Sequence, residues 1–391
     1  MAPRKPTDTD KARTLEQLLA TKEIAISCGS GGVGKTTTAA AAAAMASVHL
    51  GGKVLVLTVD PAKRLANALG LERFGNTETQ VPPSAFAAAG VEPRGELWAA
   101  MLDTKQSWDD LVRRHAPDAK TKDAILANSI YQNISGRFVQ SHDYIAMERL
   151  YEIHTAGTYD LIVVDTPPTR NAMDFLEAPE RMSDFFSSKL LRWLTAPSKN
   201  RVMSLASKPF YTVADRILGS QFLEDIAEFF TLFQSMAPGF VERADAVSRT
   251  LGDKRTTFLV VSTLEAAPLD EAEFFIGALE ERKLHLGALI LNKVLPSYLR
   301  RTASTPVAKK LISDPGSVSP ALADLAEPAD VERVLSTIGE SFLNYQVVAK
   351  REAEQRAGLA SSPEVVAAVP YFDADIHNLG GLLALGEKIW R

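Results

Sequence analysis

Residues 29–36 read Gly29-Ser30-Gly31-Gly32-Val33-Gly34-Lys35-Thr36, the spacing G-x-x-x-x-G-K-[ST]. Glycines at these places let backbone N–H groups converge on phosphate oxygens, where a Cβ would obstruct. A lysine after the last glycine reaches β- and γ-phosphates, and the next hydroxyl suits Mg²⁺. The bare pattern arises by chance roughly once per hundred chains of this length, from average residue usage. Here an apolar run (Ile24, Ala25, Ile26) precedes it and an alanine-rich stretch from Thr37 to Val48 follows, so a strand and a helix flank the loop. The helix start adds a positive dipole end.

Two acids are candidates to work beside that loop. The run Lys53–Asp60 ends in Asp60-Pro61-Ala62-Lys63-Arg64, and Asp160–Asp165 ends in Asp165-Thr166-Pro167-Pro168-Thr169. In a doubly wound sheet the C-terminal ends of strands meet at the ligand crevice. Asp165 there suits the surroundings of Mg²⁺, and Asp60 suits orienting or deprotonating a water. Each acid alternatively caps the helix that follows it.

The elements that must position these residues are short apolar runs alternating with helical stretches, which indicates α/β architecture with a doubly wound, mainly parallel sheet. The predicted strands are Glu23–Cys28, Lys53–Asp60, Leu97–Leu102, Asp160–Asp165, Thr257–Thr263, Gly287–Val294 and Val365–Val369. Their near-continuous Val, Ile and Leu predict burial on both faces. Residues 1–20 read as a polar disordered tail. Residues 21–104, 158–170 and 252–391 are assigned to the nucleotide-binding domain, and 105–157 and 171–251 to a helical subdomain. Pro179, Pro197, Pro209 and Pro238 read as breakers within it. The segment Ser297–Pro328 reads as a loop with short helical pieces.

Composition narrows the classes of partner. Lys and Arg total 43 against 48 Asp and Glu, a net charge of −5, which argues against general affinity for nucleic acid or anionic lipid. The chain has one cysteine, Cys28, so neither an internal disulfide nor a cysteine-based zinc knuckle forms within it. No two of its six histidines stand at the i, i+4 spacing of a helical metal site. The first 13 residues lack the apolar region of a secretory signal, and no run reads as a membrane span, so a cytoplasmic protein with no integral membrane segment is expected.

Taken together, these motifs resemble the ArsA-type ATPases, a family that includes the arsenite-pump ATPase and the ATPase delivering tail-anchored membrane proteins. The resemblance rests on Gly31-Gly32-Val33-Gly34-Lys35-Thr36-Thr37, on Asp60-Pro61-Ala62 with Leu65 and Ala68-Leu69-Gly70, and on Tyr159-Asp160 leading into Asp165-Thr166 and Pro168-Thr169. It continues through Leu291-Asn292-Lys293 and Pro370 to Gly380. It implies a P-loop fold of the deviant Walker, MinD/ParA-like type with an inserted helical subdomain. It further implies ATP hydrolysis with Mg²⁺, and a homodimer or a heterodimer with a paralogous ArsA-like subunit. Lys35 and Asp60 match catalytic positions, and Thr36 and Asp165 match metal positions. Gly31 to Thr37 match the phosphate site. Asn292 matches the adenine-reading asparagine, and Pro370 with Phe372 the loop beside the base.

The chain departs from the family at Ser30, where a signature lysine usually reaches the partner's phosphates. A serine brings no cation there, a loss worth roughly 10³-fold where an arginine finger supplies the charge. Either Arg64 or Arg170 replaces it, or a different subunit donates it. The lone Cys28 cannot supply the thiolate set that arsenite binding needs, and the Cys-x-x-Cys of the zinc-bridged carriers is absent. Cys28 itself reads as a small buried core residue.

Eight of the 17 phenylalanines fall between Phe185 and Phe240, about three times their share, which marks that segment as unusual. Phe222, Ile226, Phe229, Phe230, Phe233 and Met236 recur at helical spacing with acids opposite, an amphipathic helix. That face forms either a groove for a hydrophobic helix client or packing within the subdomain or across a dimer. The expected function is a nucleotide-driven dimer switch. Alternatives are a targeting module for hydrophobic helices and a nucleotide-binding regulatory subunit with weak or no ATPase activity.

Overall fold

The computed structural model describes residues 14–59, 63–71, 75–134, 141–167, 172–188, 220–322, 324, 326–359 and 363–390. Strand residues alternate between two cores. Ile24 and Ile26 face one, with Leu55, Leu57, Ile162, Val164, Phe258 and Val260. Ala25 faces the other, with Val54, Val56, Leu161, Val163, Leu259 and Val261. A sheet covered on both sides has no solvated face, which is why these runs carry no polar alternation.

The described strands are β1 (Ile24–Cys28), β2 (Lys53–Thr58), β3 (Thr79–Gln80), β4 (Glu96–Met101), β5 (Leu161–Asp165), β6 (Thr256–Ser262), β7 (Leu286–Val294) and β8 (Val365–Pro370). Their order is β3-β4-β2-β5-β1-β6-β7-β8, and every pair is parallel except β3 with β4. Strands β2 to β5 lie on one side of β1, with β5 returning between β2 and β1, and the chain then crosses to β6 on the other side. The ends of β1 and its neighbours therefore lie at the switch point where open α/β sheets bind ligands. All seven strands expected from the sequence are present, each within two residues of its predicted bounds. The two-residue antiparallel β3 is an addition.

The described helices are α1 (Leu15–Leu19), α2 (Lys35–His49), α3 (Lys63–Ala68), α4 (Pro83–Ala88), α5 (Thr104–His115), α6 (Ala119–Ala127), α7 (Ser129–Ile134), α8 (Ser141–Ala156), α9 (Ala172–Ser187), α10 (Ser220–Gln234), α11 (Ala237–Leu251), α12 (Ala266–Glu281), α13 (Thr305–Ser313), α14 (Pro328–Gly358) and α15 (Leu379–Trp390). Helix α2 packs on the sheet and against α15, which itself contacts β8. Its alanines 39–44 and 46 have no exposed surface, and a Cβ on Gly386 of α15 would meet Met45 Cγ at 2.3 Å. Small side chains are what permit two helix axes to approach this closely.

Two expectations are corrected. The polar tail stops short of residue 20, because residues 15–19 form α1, capped by the Thr14 hydroxyl. Leu15, Leu18 and Leu19 are buried there, and Gly287 of β7 leaves the space that Leu18 fills. Pro179 does not end a helix but sits inside α9, whose Leu176, Ala178 and Phe186 are buried. A proline forfeits one backbone hydrogen bond there, and burial of that face opposes the loss. Pro238 does open a helix, at the first turn of α11, while Pro197 and Pro209 lie outside the described residues. The segment Ser297–Pro328 holds the short helical pieces expected of it, 3-10 turns and the nine-residue helix α13, which packs on α14. Gly339 of α14 makes that contact possible, since its Cβ would lie 2.6 Å from the Ala308 carbonyl oxygen.

The core faced by Ile24 and Ile26 continues into the helical subdomain as a cluster of aromatic rings. Phe240 of α11 is fully buried, with ring centroids 4.8 Å from Phe186, 5.4 Å from Phe233 and 6.1 Å from Trp108. Phe229 and Phe233 of α10 are buried and Phe230 is half-buried against the same core. The described part of the phenylalanine-rich face is thus packed within the subdomain, whereas Phe210 and Leu190 to Leu205 lie outside the described residues. Phe240→Ala is expected to cost about 3–5 kcal/mol, because the surrounding rings cannot close the cavity. Urea unfolding followed by tryptophan fluorescence measures it, and a loss below about 1 kcal/mol contradicts this packing.

Candidate active site

The phosphate loop leaves β1 and enters α2 through backbone that only glycine supplies without strain. Gly34 has φ +97° and caps α2 with no side-chain hydrogen bond to the helix end. Its missing Cβ leaves room for Asn292, whose Nδ2 would otherwise lie 2.3 Å away. Gly29, at φ +148°, passes so close to β6 that a Cβ would sit 2.1 Å from the Val261 carbonyl oxygen. The first N–H groups of α2 have no intrahelical acceptor, so the opening suits an anion.

Lys35 is the first residue of α2 and is 6% exposed. Its Nζ donates to the Ser30 carbonyl at 2.8 Å, which holds the ammonium inside the loop. The Ser30 hydroxyl is buried with no hydrogen-bond partner, an orphaned polar group of the kind a bound oxyanion satisfies. Gly31 and Gly32 are exposed at the loop's tip, Val33 is buried in the α2-side core, and Thr36 and Thr37 are half-buried on the first turn.

Asp165 ends β5 directly beside this turn and is completely buried. Thr36 Oγ1 donates to its Oδ2 at 2.6 Å, and Thr58 Oγ1 at the end of β2 donates to the same oxygen at 2.9 Å. Thr58 is a site residue that sequence reading missed. Its signal was a hydroxyl closing an otherwise apolar strand two positions before Asp60. Thr166 is tied to β1, its Oγ1 donating to the Ser27 carbonyl at 2.9 Å. Burial pushes the neighbouring Cys28 thiol up to about 12, so it stays protonated and packs as a core residue.

Asn292 and Lys293 approach from the end of β7. Asn292 is 7% exposed, its Nδ2 donates to the Val33 carbonyl at 2.8 Å, and its Oδ1 accepts from Lys293 N–H at 2.9 Å. One amide proton and one lone pair remain, enough to meet a donor and an acceptor on a base edge. Pro370 closes β8 beside Val294, and Phe372 is half-buried against the α2-side core. Lys35, Thr36, Asp165 and Asn292 therefore converge on one end of the sheet. Asp60, Arg170 and Asn171 lie outside the described residues, as do the side chains of Lys63 and Arg64.

Comparison with known proteins decides the family, because residues 22–311 match the model of the anion-transporting ATPases, ArsA_ATPase. The chain belongs to the ArsA ATPase family. Its fold is that of the family's P-loop α/β proteins, and it is an ATPase. It is 26% identical over 277 residues to a putative arsenical pump-driving ATPase 2 of Aquifex aeolicus, covering 68% of this chain and 79% of that protein. It is 24% identical over 300 residues to the ATPase get3 of Pyrenophora tritici-repentis, covering 74% of this chain and 79% of that one. An uncharacterised Streptomyces coelicolor protein is 29% identical over 270 residues, with 68% and 61% covered. The family match ends before α14, β8 and α15. None of the described helices is long and apolar enough to cross a membrane.

Proposed function

We propose that this ArsA-family ATPase binds Mg·ATP in the 29–36 loop and uses hydrolysis to drive a switch between subunits that reshapes the helical subdomain. The observation that carries the reading is the Thr36–Asp165 hydrogen bond of 2.6 Å, which joins the loop to the end of β5. Thr36 and Asp165 are the residues that would hold Mg²⁺, and the metal would offset charge on the β- and γ-phosphate oxygens. Lys35 neutralises the transferring phosphoryl group, and Gly31 to Thr37 wrap the phosphates. Asn292, Pro370 and Phe372 surround the base. Asp60 is the residue assigned to the attacking water.

A route from nucleotide to helical subdomain supports the switch. Asn76 follows the Asp60 segment, and its Oδ1 accepts from Asp103 N–H at 3.3 Å and from Ser107 Oγ at 3.0 Å on α5. Its carbonyl accepts from Arg149 of α8 at 3.3 Å, and Arg149 also pairs with Glu78 at 2.8 Å. A shift of the Asp60 segment would therefore move two helices at once.

The names of the relatives support two settings, the driving of an arsenical pump and the work of get3. Cys28, alone and buried, fits no thiolate site for arsenite, which favours a polypeptide client or partner subunit over the metalloid. Ser30 in the position of the family's signature lysine supports a paralogous subunit as the source of the missing cation.

Light scattering and amide exchange test the proposal. Mg·ATPγS is expected to raise the assembly mass, with or without an added ArsA-like paralogue, and to change exchange in 104–115 and 141–156 relative to ADP. Identical mass and exchange in the two nucleotide states would overturn the switch while leaving ATP hydrolysis intact.

A further inference from the structure

We infer that Lys293 is a positioning residue for the phosphate loop: its ammonium holds the outer side of the loop so that the inner side stays shaped for phosphate. The inference rests on the reading that ATP occupies the 29–36 loop.

A loop that turns successive N–H groups toward an anion turns carbonyls the other way, and those carbonyls need donors. Two consecutive ones find them at the end of β7. Gly32 O accepts from Lys293 Nζ at 2.9 Å, and Val33 O accepts from Asn292 Nδ2 at 2.8 Å. Gly32 and Val33 stand immediately before Gly34 and Lys35, where the phosphates would lie.

Adjacent residues of a regular strand point to opposite faces, so Asn292 and Lys293 cannot both reach one loop from an ordinary β7. The strand breaks its own pattern to let them. The β7–β8 register shifts between Leu291 and Val294, and Lys293 takes φ +58°. This left-handed conformation is unfavourable for a residue with a Cβ, and such strain persists where function over-determines it. A register irregularity beside a site is a way to re-aim a side chain. The turn is anchored on its far side, where Leu295 N–H donates to Glu352 Oε2 of α14 at 2.9 Å and Tyr371 N–H donates to the Val294 carbonyl at 3.0 Å.

The side chain of Lys293 is exposed and sits on the carbonyl side of the loop. Its contribution therefore passes through backbone geometry, which serves ground and transition states alike. Such an interaction appears in KM more than in kcat.

Steady-state hydrolysis of Mg·ATP tests this with four variants of the full chain. Lys293→Met keeps the strained backbone and the bulk but loses the amine. It is expected to raise KM about tenfold while kcat falls less than threefold. Lys293→Arg, which keeps a donor, is expected to return KM to within threefold of the parent. Lys293→Gly relieves the backbone and is expected to melt no lower than the parent while showing the raised KM. A parental KM in Lys293→Met or Lys293→Gly, no rescue by arginine, or a loss confined to kcat would overturn the role. Lys35→Ala separates the two readings. If it too hydrolyses and binds ATP like the parent, the loop is not the nucleotide site. If it fails while Lys293→Met is silent, only the positioning role is wrong.

Discussion

Lys35→Ala is expected to lower ATP turnover about 10²–10³-fold, the scale of losing one preorganised group that meets developing charge. The side chain is buried at the mouth of α2, with one of its three N–H donors on the Ser30 carbonyl at 2.8 Å. A cation placed there in advance needs no reorganisation when the phosphoryl group begins to transfer. The helix dipole points the same way, but it is a fraction of a charge and is already present in the ground state. Ser30 raises the stakes, since the loop has no second lysine at that position to share the work. Thermal unfolding of the variant without nucleotide should match the parent, because removing a buried ammonium also removes its desolvation cost. The check is phosphate release at saturating Mg·ATP, paired with a melting curve.

Asp165→Asn should cut Mg²⁺-dependent turnover about 10²-fold and raise the Mg²⁺ concentration for half-maximal rate about tenfold, on the scale of lost metal-site partners. The amide is isosteric and keeps an oxygen where Thr36 Oγ1 and Thr58 Oγ1 now donate at 2.6 and 2.9 Å. Folding should therefore survive while the negative charge is lost. Asp165→Ala differs, because it removes the acceptor that two hydroxyls share inside the sheet, at a cost of about 1–3 kcal/mol. A magnesium titration of the hydrolysis rate, run on both variants beside urea melts, separates the electrostatic loss from the structural one. Unaltered magnesium dependence in Asp165→Asn would show that the residue only ties strands together.

The sheet and loop were legible because their physics is local. A strand buried on both faces is nearly continuously apolar, and Ile24–Cys28 and Leu161–Asp165 keep that pattern up to the polar residues at their site ends, Ser27 and Asp165. The spacing of Gly29, Gly34, Lys35 and Thr36 states a backbone requirement directly. Other elements were hidden for equally physical reasons. Two residues of β3 hold no period to detect. Helix α14 packs along α13 and its neighbours by one narrow face, Val331, Leu335, Gly339, Phe342, Gln346 and Ala349, whose apolar period is broken by a glycine and a glutamine. Pro179 reads as a break by propensity, yet packing of α9 on the core outweighs one lost hydrogen bond. Lys293 follows Asn292 directly, and strand alternation assigns it to the opposite face. Only the register shift and its positive φ bring it to the loop. The phenylalanine-rich face was readable as amphipathic, but which surface it meets is a tertiary fact. The structure places Phe233 and Phe240 against Trp108 and Phe186, with Phe229 stacked on Phe233.

Amide hydrogen exchange across residues 29–37, with and without Mg·ATPγS, reports most directly on the nucleotide's seat. The account predicts slowed exchange in that window, centred on Gly31 to Thr37, and no such slowing in Lys35→Ala at the same nucleotide concentration. If ATPγS binds and the window exchanges as fast as in the free protein, the triphosphate lies elsewhere, and the roles given to Lys35, Thr36 and Asp165 are wrong.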